Sequence, residues 1–137
     1  MSDTCISVEC KDRINTIVID NPPDNYLDKD VLSRLNRAVG EMLSDKTELR
    51  VVLLTAKGRN FSAGLDYAGS AGMSKNEAGH LADVGYHLLR NLENMPVPVI
   101  AAVKGETTGA GLGLALAADL RIAATDTVFS FPEARIG

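Results

Sequence analysis

The chain has 137 residues, enough for one domain, with 45% hydrophobic and 23% charged residues and a formal net charge of −4. This composition supports a substantial core and excludes disorder, and the acidic balance, without a long run of like charge, excludes a nucleic-acid footprint. No apolar stretch approaches the roughly 18 residues of a membrane span, and the start, MSDTCISVEC, lacks the regions of a signal peptide, so no membrane is implied.

In chain order, CISVEC and RINTIVID are short β-branched runs broken at Lys11-Asp12, and they read as a hairpin. Cys5 and Cys10, at odd spacing on one extended strand, point to opposite faces. A reduced, cytoplasmic setting fits them better than a disulfide. NPPDN is a turn cluster. Val31, Leu32, Leu35, Val39, Met42 and Leu43 then recur at helical spacing, with Asp28 as N-cap and Arg34, Arg37 and Glu41 on the wet side. LRVVLLTA is a continuous apolar run of strand length, expected to be buried on both faces. KGRNFSAGLD is a loop. YAGSAGMSKNEAG is small and polar and reads as a mobile stretch. Leu81, Val84, Leu88 and Leu92 mark a second amphipathic helix, and VPVIAAV a buried strand. GLGLALAA, uncharged and apolar all round, predicts a fully buried helix. LRIAA and TVFSF are two further strands. Strands alternating with helices give an α/β fold.

The segment VKGETTGAGLG sets three glycines, Gly109, Gly111 and Gly113, where a strand hands over to a helix. Three readings are open. The glycines can serve only close packing of helix on sheet. They can imitate a dinucleotide fingerprint with Glu133 as the ribose-binding acid, as in an oxidoreductase, but the third glycine comes one residue early for G-x-G-x-x-G, and Gly109 lies well beyond the strand-ending Val103. Or the helix N-terminus offers unpaired backbone N–H groups to a substrate oxyanion, with a second donor from the small-residue loop FSAGLD.

GRNFSAGLD, followed some thirty residues later by MPVPVIAAVKGETTGAGLGLALAADLRIAATDTVFSFPEARIG, resembles the crotonase superfamily, the enoyl-CoA hydratase/isomerase family. NPPDNYLDKDVLSRLNRAV is similar to that family's approach to its first long helix, so the resemblance covers essentially the whole chain. It implies the crotonase-like (ClpP/crotonase) ββα superhelix, truncated, with residues 1–137 as the N-terminal part of the domain. It also implies an acyl-CoA substrate, no separate cofactor beyond coenzyme A itself, no metal, and a homo-oligomer, trimeric or hexameric at full length.

By position, the resemblance makes the backbone N–H groups of Leu65 and Ala110 the oxyanion donors. Ala63, Gly64, Gly109 and Gly111 are the small residues that keep the approach clear, and Asp66 orders the loop. Glu133 is the acid–base carboxylate. The position of a second carboxylate is held by Gly113, which favours a single-acid double-bond isomerase over an enoyl-CoA hydratase. A hydrolase, a decarboxylase-type relative and a non-catalytic fragment are the other readings. Asn25, Tyr26 and Leu27 fall where pantetheine and adenine would lie, and Lys57 and Arg59 could face phosphates. Glu106 departs from the family pattern and is expected to be solvated or N-cap-like, while His80 and His87 carry no chemistry. The chain ends on PEARIG with no closing helix, so an exposed apolar face and self-association are expected.

Overall fold

The computed structural model, which describes residues 5–44 and 48–135, begins with the expected hairpin. β1 (Ile6–Lys11) pairs antiparallel with β2 (Ile14–Ile19), Lys11 facing Ile14. The turn residues are Asp12 and Arg13, both at positive φ (51° and 67°), a primed turn whose twist matches that of the strands. Lys11 therefore belongs to β1, and the break falls one residue later than the sequence pattern puts it. Cys5 and Cys10 are both free thiols.

Asp28 caps α1 (Lys29–Ser44), its Oδ1 accepting from the Val31 N–H at 2.9 Å. Val31, Leu32, Leu35, Val39 and Met42 are buried, as their spacing requires, and Leu43 is half-buried. β3 (Val51–Ala56) and β4 (Val99–Val103) follow as parallel neighbours of β2. With β6 (Leu120–Ala123) they make a five-stranded sheet in the order β1-β2-β3-β4-β6. A second, two-stranded parallel sheet joins β5 (Glu106–Thr108) to β7 (Val128–Ser130). The fold is α/β, as expected, with one strand more than the sequence pattern shows. β5 is three polar residues inside the glycine loop, and only its partner makes it a strand.

The sheet register aligns Ile17 with Leu54 and Leu54 with Ala101, a fully buried row that faces α1 and α2 within one core. Val52, Leu54 and Ala56 are buried, but Val51, Leu53 and Thr55 are only half-buried. LRVVLLTA is thus buried on one face and partly covered on the other, because the helices of the core pack on a single side.

α2 spans Lys75–Glu93 and starts well before Leu81. Its origin is a capping box: the Glu77 N–H donates to Ser74 Oγ at 3.2 Å, and the Ser74 N–H donates to Glu77 Oε2 at 2.8 Å. The second half of the stretch read as mobile is therefore the cap and first turns of a helix.

α3 (Ala110–Ala117) packs on α2 and β5, and Leu112, Leu114 and Ala115 are buried. Leu116 is 54% exposed, so GLGLALAA is not buried all round. Among the described residues nothing covers that side, and Leu120, Ile122, Val128, Phe129 and Phe131 are also exposed. Arg121 closes the C-terminus of α3, donating to the carbonyls of Ala118 at 2.7 Å and Ala115 at 3.2 Å. Asp119 ties the same corner to β4 by accepting from the Val99 N–H at 2.8 Å. A one-turn 3-10 helix, Pro132–Arg135, follows β7; Ile136 and Gly137 of PEARIG lie outside the described residues. Among those residues no helix is long and apolar enough to cross a membrane.

The hydrogen bonds from Ser74 hold the Glu77 carboxyl below its ordinary range. A lowered carboxyl stabilises the fold above the ordinary glutamate range, and that contribution is lost as the pH falls through the lowered value. Ser74→Ala should therefore lower Tm near neutral pH by removing the cap, and the gap in Tm between parent and variant should narrow in acid. A gap that stays constant to low pH would separate the cap from the Glu77 charge.

Candidate active site

The loop 57–66 is held by two buried side-chain amides. Asn25 sits at φ 53°, a left-handed conformation that asparagine tolerates better than most residues. Its Nδ2 donates to the carbonyls of Lys57 and Asn60, both at 2.8 Å, and its Oδ1 accepts from the Asn21 N–H at 2.8 Å. Asn60 Nδ2 donates to Asp24 Oδ1 at 2.8 Å, while Asn60 Oδ1 accepts from the Glu106 N–H at 2.9 Å. Backbone bonds continue the clasp: Ala63 N–H to Asp24 O at 3.0 Å and Leu27 N–H to Gly64 O at 2.8 Å. Asn25 is thereby turned inward and works as a fastener between the first turn and the loop. Asn60 does the same and is absent from the sequence-derived site. Its only signal was a polar residue just before a buried Phe61.

The loop then pairs with β5. Ser62 N–H donates to Glu106 O at 3.1 Å, and Thr108 N–H donates to Ser62 O at 3.0 Å. The chains run so close that a Cβ on Gly64, itself at φ 90°, would lie 2.9 Å from Thr108 O and 3.4 Å from Ala110 N. A Cβ on Gly111 would strike Ser62, at 2.5 Å from its carbonyl. Gly109, at φ 54°, has its N–H on Ser130 O at 2.9 Å, and a Cβ there would collide with the Glu133 carboxylate. These glycines are needed because protein meets protein, where the sequence reading had them clearing a path for substrate.

Leu65 and Ala110 line one cavity of about 450 Å³, together with Leu27, Tyr67, Gly113 and Leu114. Among the described residues neither the Leu65 N–H nor the Ala110 N–H has an acceptor. Ala110 opens α3, so its free donor also stands at the positive end of the helix. Two unpaired main-chain donors on touching loops, at the wall of an apolar cavity, can stabilise a developing negative charge.

Glu133 does not line the cavity, but the small sheet brings it beside Gly109, the residue before Ala110, and beside Tyr67, which lines it. β5 and β7 pair with Thr108 opposite Ser130, and the 3-10 turn then lays Glu133 against Gly109. Glu133 Oε1 accepts from the Tyr67 hydroxyl at 2.8 Å, while Oε2 is buried and has no partner among the described residues. Desolvation and the adjacent Glu133 carboxylate push the Tyr67 hydroxyl above its ordinary pKa. Tyr67 was not singled out in the sequence because it lay in the stretch read as mobile.

The remaining expected residues sit apart from the cavity. Tyr26 is exposed, with its carbonyl accepting from Asn21 Nδ2. Lys57 is paired to Asp20 at 2.9 Å, which raises its pKa. Arg59 is exposed on the loop, and Ala63 is half-buried within it. Asp66 accepts from the Gly69 N–H at 2.8 Å, a local bond that orders the turn after the loop. Glu106 is exposed on β5, and His80 and His87 are exposed on α2. Among the described residues no group of three or more His, Cys, Asp or Glu could hold a metal ion.

The family model for enoyl-CoA hydratase/isomerase matches residues 9–137. A Bacillus subtilis (strain 168) protein named "Probable enoyl-CoA hydratase" is 35% identical over 133 residues, covering 96% of this chain and 51% of the relative. The short-chain-enoyl-CoA hydratase of Clostridium acetobutylicum is 32% identical over 133 residues, with 96% and 51% coverage. The solved structure of Pseudomonas aeruginosa DspI superposes with a TM-score of 0.91 at 32% identity, over 100% of this chain and 53% of that one. The chain thus spans about half the length of the curated relatives it matches.

Asn25→Asp should be the sharpest test of the clasp, since it sets a buried carboxylate against two carbonyl oxygens. Urea denaturation should show a loss of about 3 kcal/mol or more. A variant as stable as the parent would mean that the amide does not hold the loop.

Proposed function

The chain belongs to the enoyl-CoA hydratase/isomerase family, and from that premise we propose that it carries the part of an acyl-CoA site that stabilises an enolate and moves a single proton. The thioester oxygen takes the Leu65 and Ala110 N–H groups as the α-proton leaves. One such donor is typically worth about 2.7–4 kcal/mol in the transition state. Glu133 accepts the proton from one carbon and returns it to another, so that the double bond shifts and no atom is gained or lost.

The observation that carries this reading is the pairing of Glu133 at Gly109 with a bare Gly113 on the cavity wall. Hydration must activate a water and protonate the neighbouring carbon, which takes two groups or one group in two protonation states. The relatives are named hydratases, so hydration is the second reading, with Glu133 serving both steps. Arg59, exposed on the loop that ends at Leu65, supplies a cation for the anionic end of coenzyme A. The acyl group enters a cavity whose lining has no charged side chain, so the favoured substrate has an apolar acyl chain.

Glu133→Gln should slow solvent deuterium incorporation into the α- or γ-carbon of an enoyl-CoA by about 10²–10⁴-fold, with acyl-CoA binding preserved. Gly113→Glu should add hydration, because a Cβ at 113 meets only Leu89 Cδ1, at 3.9 Å, and Gly113 lines the cavity into which the side chain would extend. Exchange as fast in Glu133→Gln as in the parent would move the proton to another group.

Calorimetric titration across an acyl-CoA series tests the cavity. Each added methylene that stays inside should tighten binding by roughly 0.8 kcal/mol, about fourfold. An acyl group ending in a carboxylate should bind more weakly than the apolar chain of the same length. Equal affinity for the two would contradict an uncharged acyl pocket.

A further inference from the structure

The hydroxyl of Tyr67 is the one side-chain donor that touches Glu133 among the described residues, at 2.8 Å from Oε1. The Tyr67 N–H donates to Leu65 O at 3.0 Å, so the ring hangs from the same tight turn that presents the Leu65 N–H. At the other end of this bond, Glu133 stands against Gly109, the residue before Ala110. One side-chain hydrogen bond therefore joins the segment carrying the proton to the loop carrying an oxyanion donor. A carboxylate turns easily about its last torsion and can present either oxygen. Here Oε1 is held, and Oε2 is left buried and unpartnered.

We propose that Tyr67 is a positioning residue for Glu133, fixing the carboxylate to the Leu65 loop and leaving Oε2 as the oxygen that takes and returns the proton. This rests on the enolate reading above and deepens it. It also accounts for a lone carboxylate working without a partner at position 113. In place of a second acid, the site holds its single acid in one orientation. A misplacement of about 1 Å in such a group costs on the order of a hundredfold in rate, so the hydroxyl should matter to turnover far more than to binding.

The test is Tyr67→Phe in the full chain, which keeps the ring on the cavity wall and removes only the donor. With an enoyl-CoA as probe, deuterium exchange at saturating substrate should fall between about tenfold and a hundredfold. The substrate concentration for half-saturation should stay that of the parent. Absorbance titration of the three tyrosines gives a readout independent of turnover. The step lost in Tyr67→Phe should lie above the ordinary tyrosine range in the parent, and Glu133→Gln should bring it down, because the carboxylate that opposes the phenolate is gone. Exchange in Tyr67→Phe at the parent's saturated rate overturns the proposal, as does a Tyr67 step unmoved by Glu133→Gln. Unchanged exchange in Glu133→Gln sinks the enolate reading itself, and this proposal with it. If Glu133→Gln is dead while Tyr67→Phe is fully active, only the positioning role is lost.

Discussion

The amides of Asn25 and Asn60 hold the loop 57–66 to two parts of the chain that are distant in sequence, the turn 21–27 and strand β5. A buried amide leaves little freedom, because each donor and acceptor it fails to satisfy costs about 1–3 kcal/mol. Both side chains find partners for their oxygen and their nitrogen, so the loop has one low-energy position. Everything near the cavity inherits that position: Gly64 lies against Thr108, Leu65 lines the cavity, and Tyr67 follows on the same turn.

The second half of the site depends on a sheet of only two short strands. β5 and β7 are three residues each, too short to persist alone. They form because Ser62 pairs along the other edge of β5 and Gly109 donates to Ser130 O at its end. This arrangement converts a sequence separation of more than twenty residues into direct contact between Gly109 and Glu133. Glycine is required at 109 and 111 by this crowding, since a side chain at either would strike Glu133 or Ser62.

The proposed chemistry is divided between rigid and adjustable groups. The two oxyanion donors proposed for this site are main chain, one of them at a helix N-terminus, and they move only if the loops move. The proposed proton carrier, Glu133, is a side chain, and its orientation needs a partner. In the proposal Tyr67 supplies one from the loop of Leu65, so the rigid part of the site steers the adjustable part. The bare wall at Gly113 leaves the cavity apolar there, which suits a hydrocarbon chain and gives no second group for a water.

The family resemblance marked Leu65, Ala110 and Glu133, and the sequence by itself determined the layered α/β order, α1 down to its Asp28 cap, the buried strand cores and the two small-residue loops. Those features are written locally, in periodicities of two and 3.6 and in motifs of fixed spacing. The start of α2 was legible too, since Ser74 and Glu77 form a capping pair in plain sequence, but the glycines and small residues before it masked the signal. Tertiary structure alone decided the rest. β5 has no strand pattern of its own and exists through pairing with β7. Asn25 and Asn60 look like ordinary turn asparagines until the carbonyls they hold are brought to them. Tyr67 acquires a partner 66 residues away only when the small sheet sets Glu133 beside the turn that follows Leu65. Each of these depends on a contact between distant segments, and no local pattern encodes the energy of such a contact.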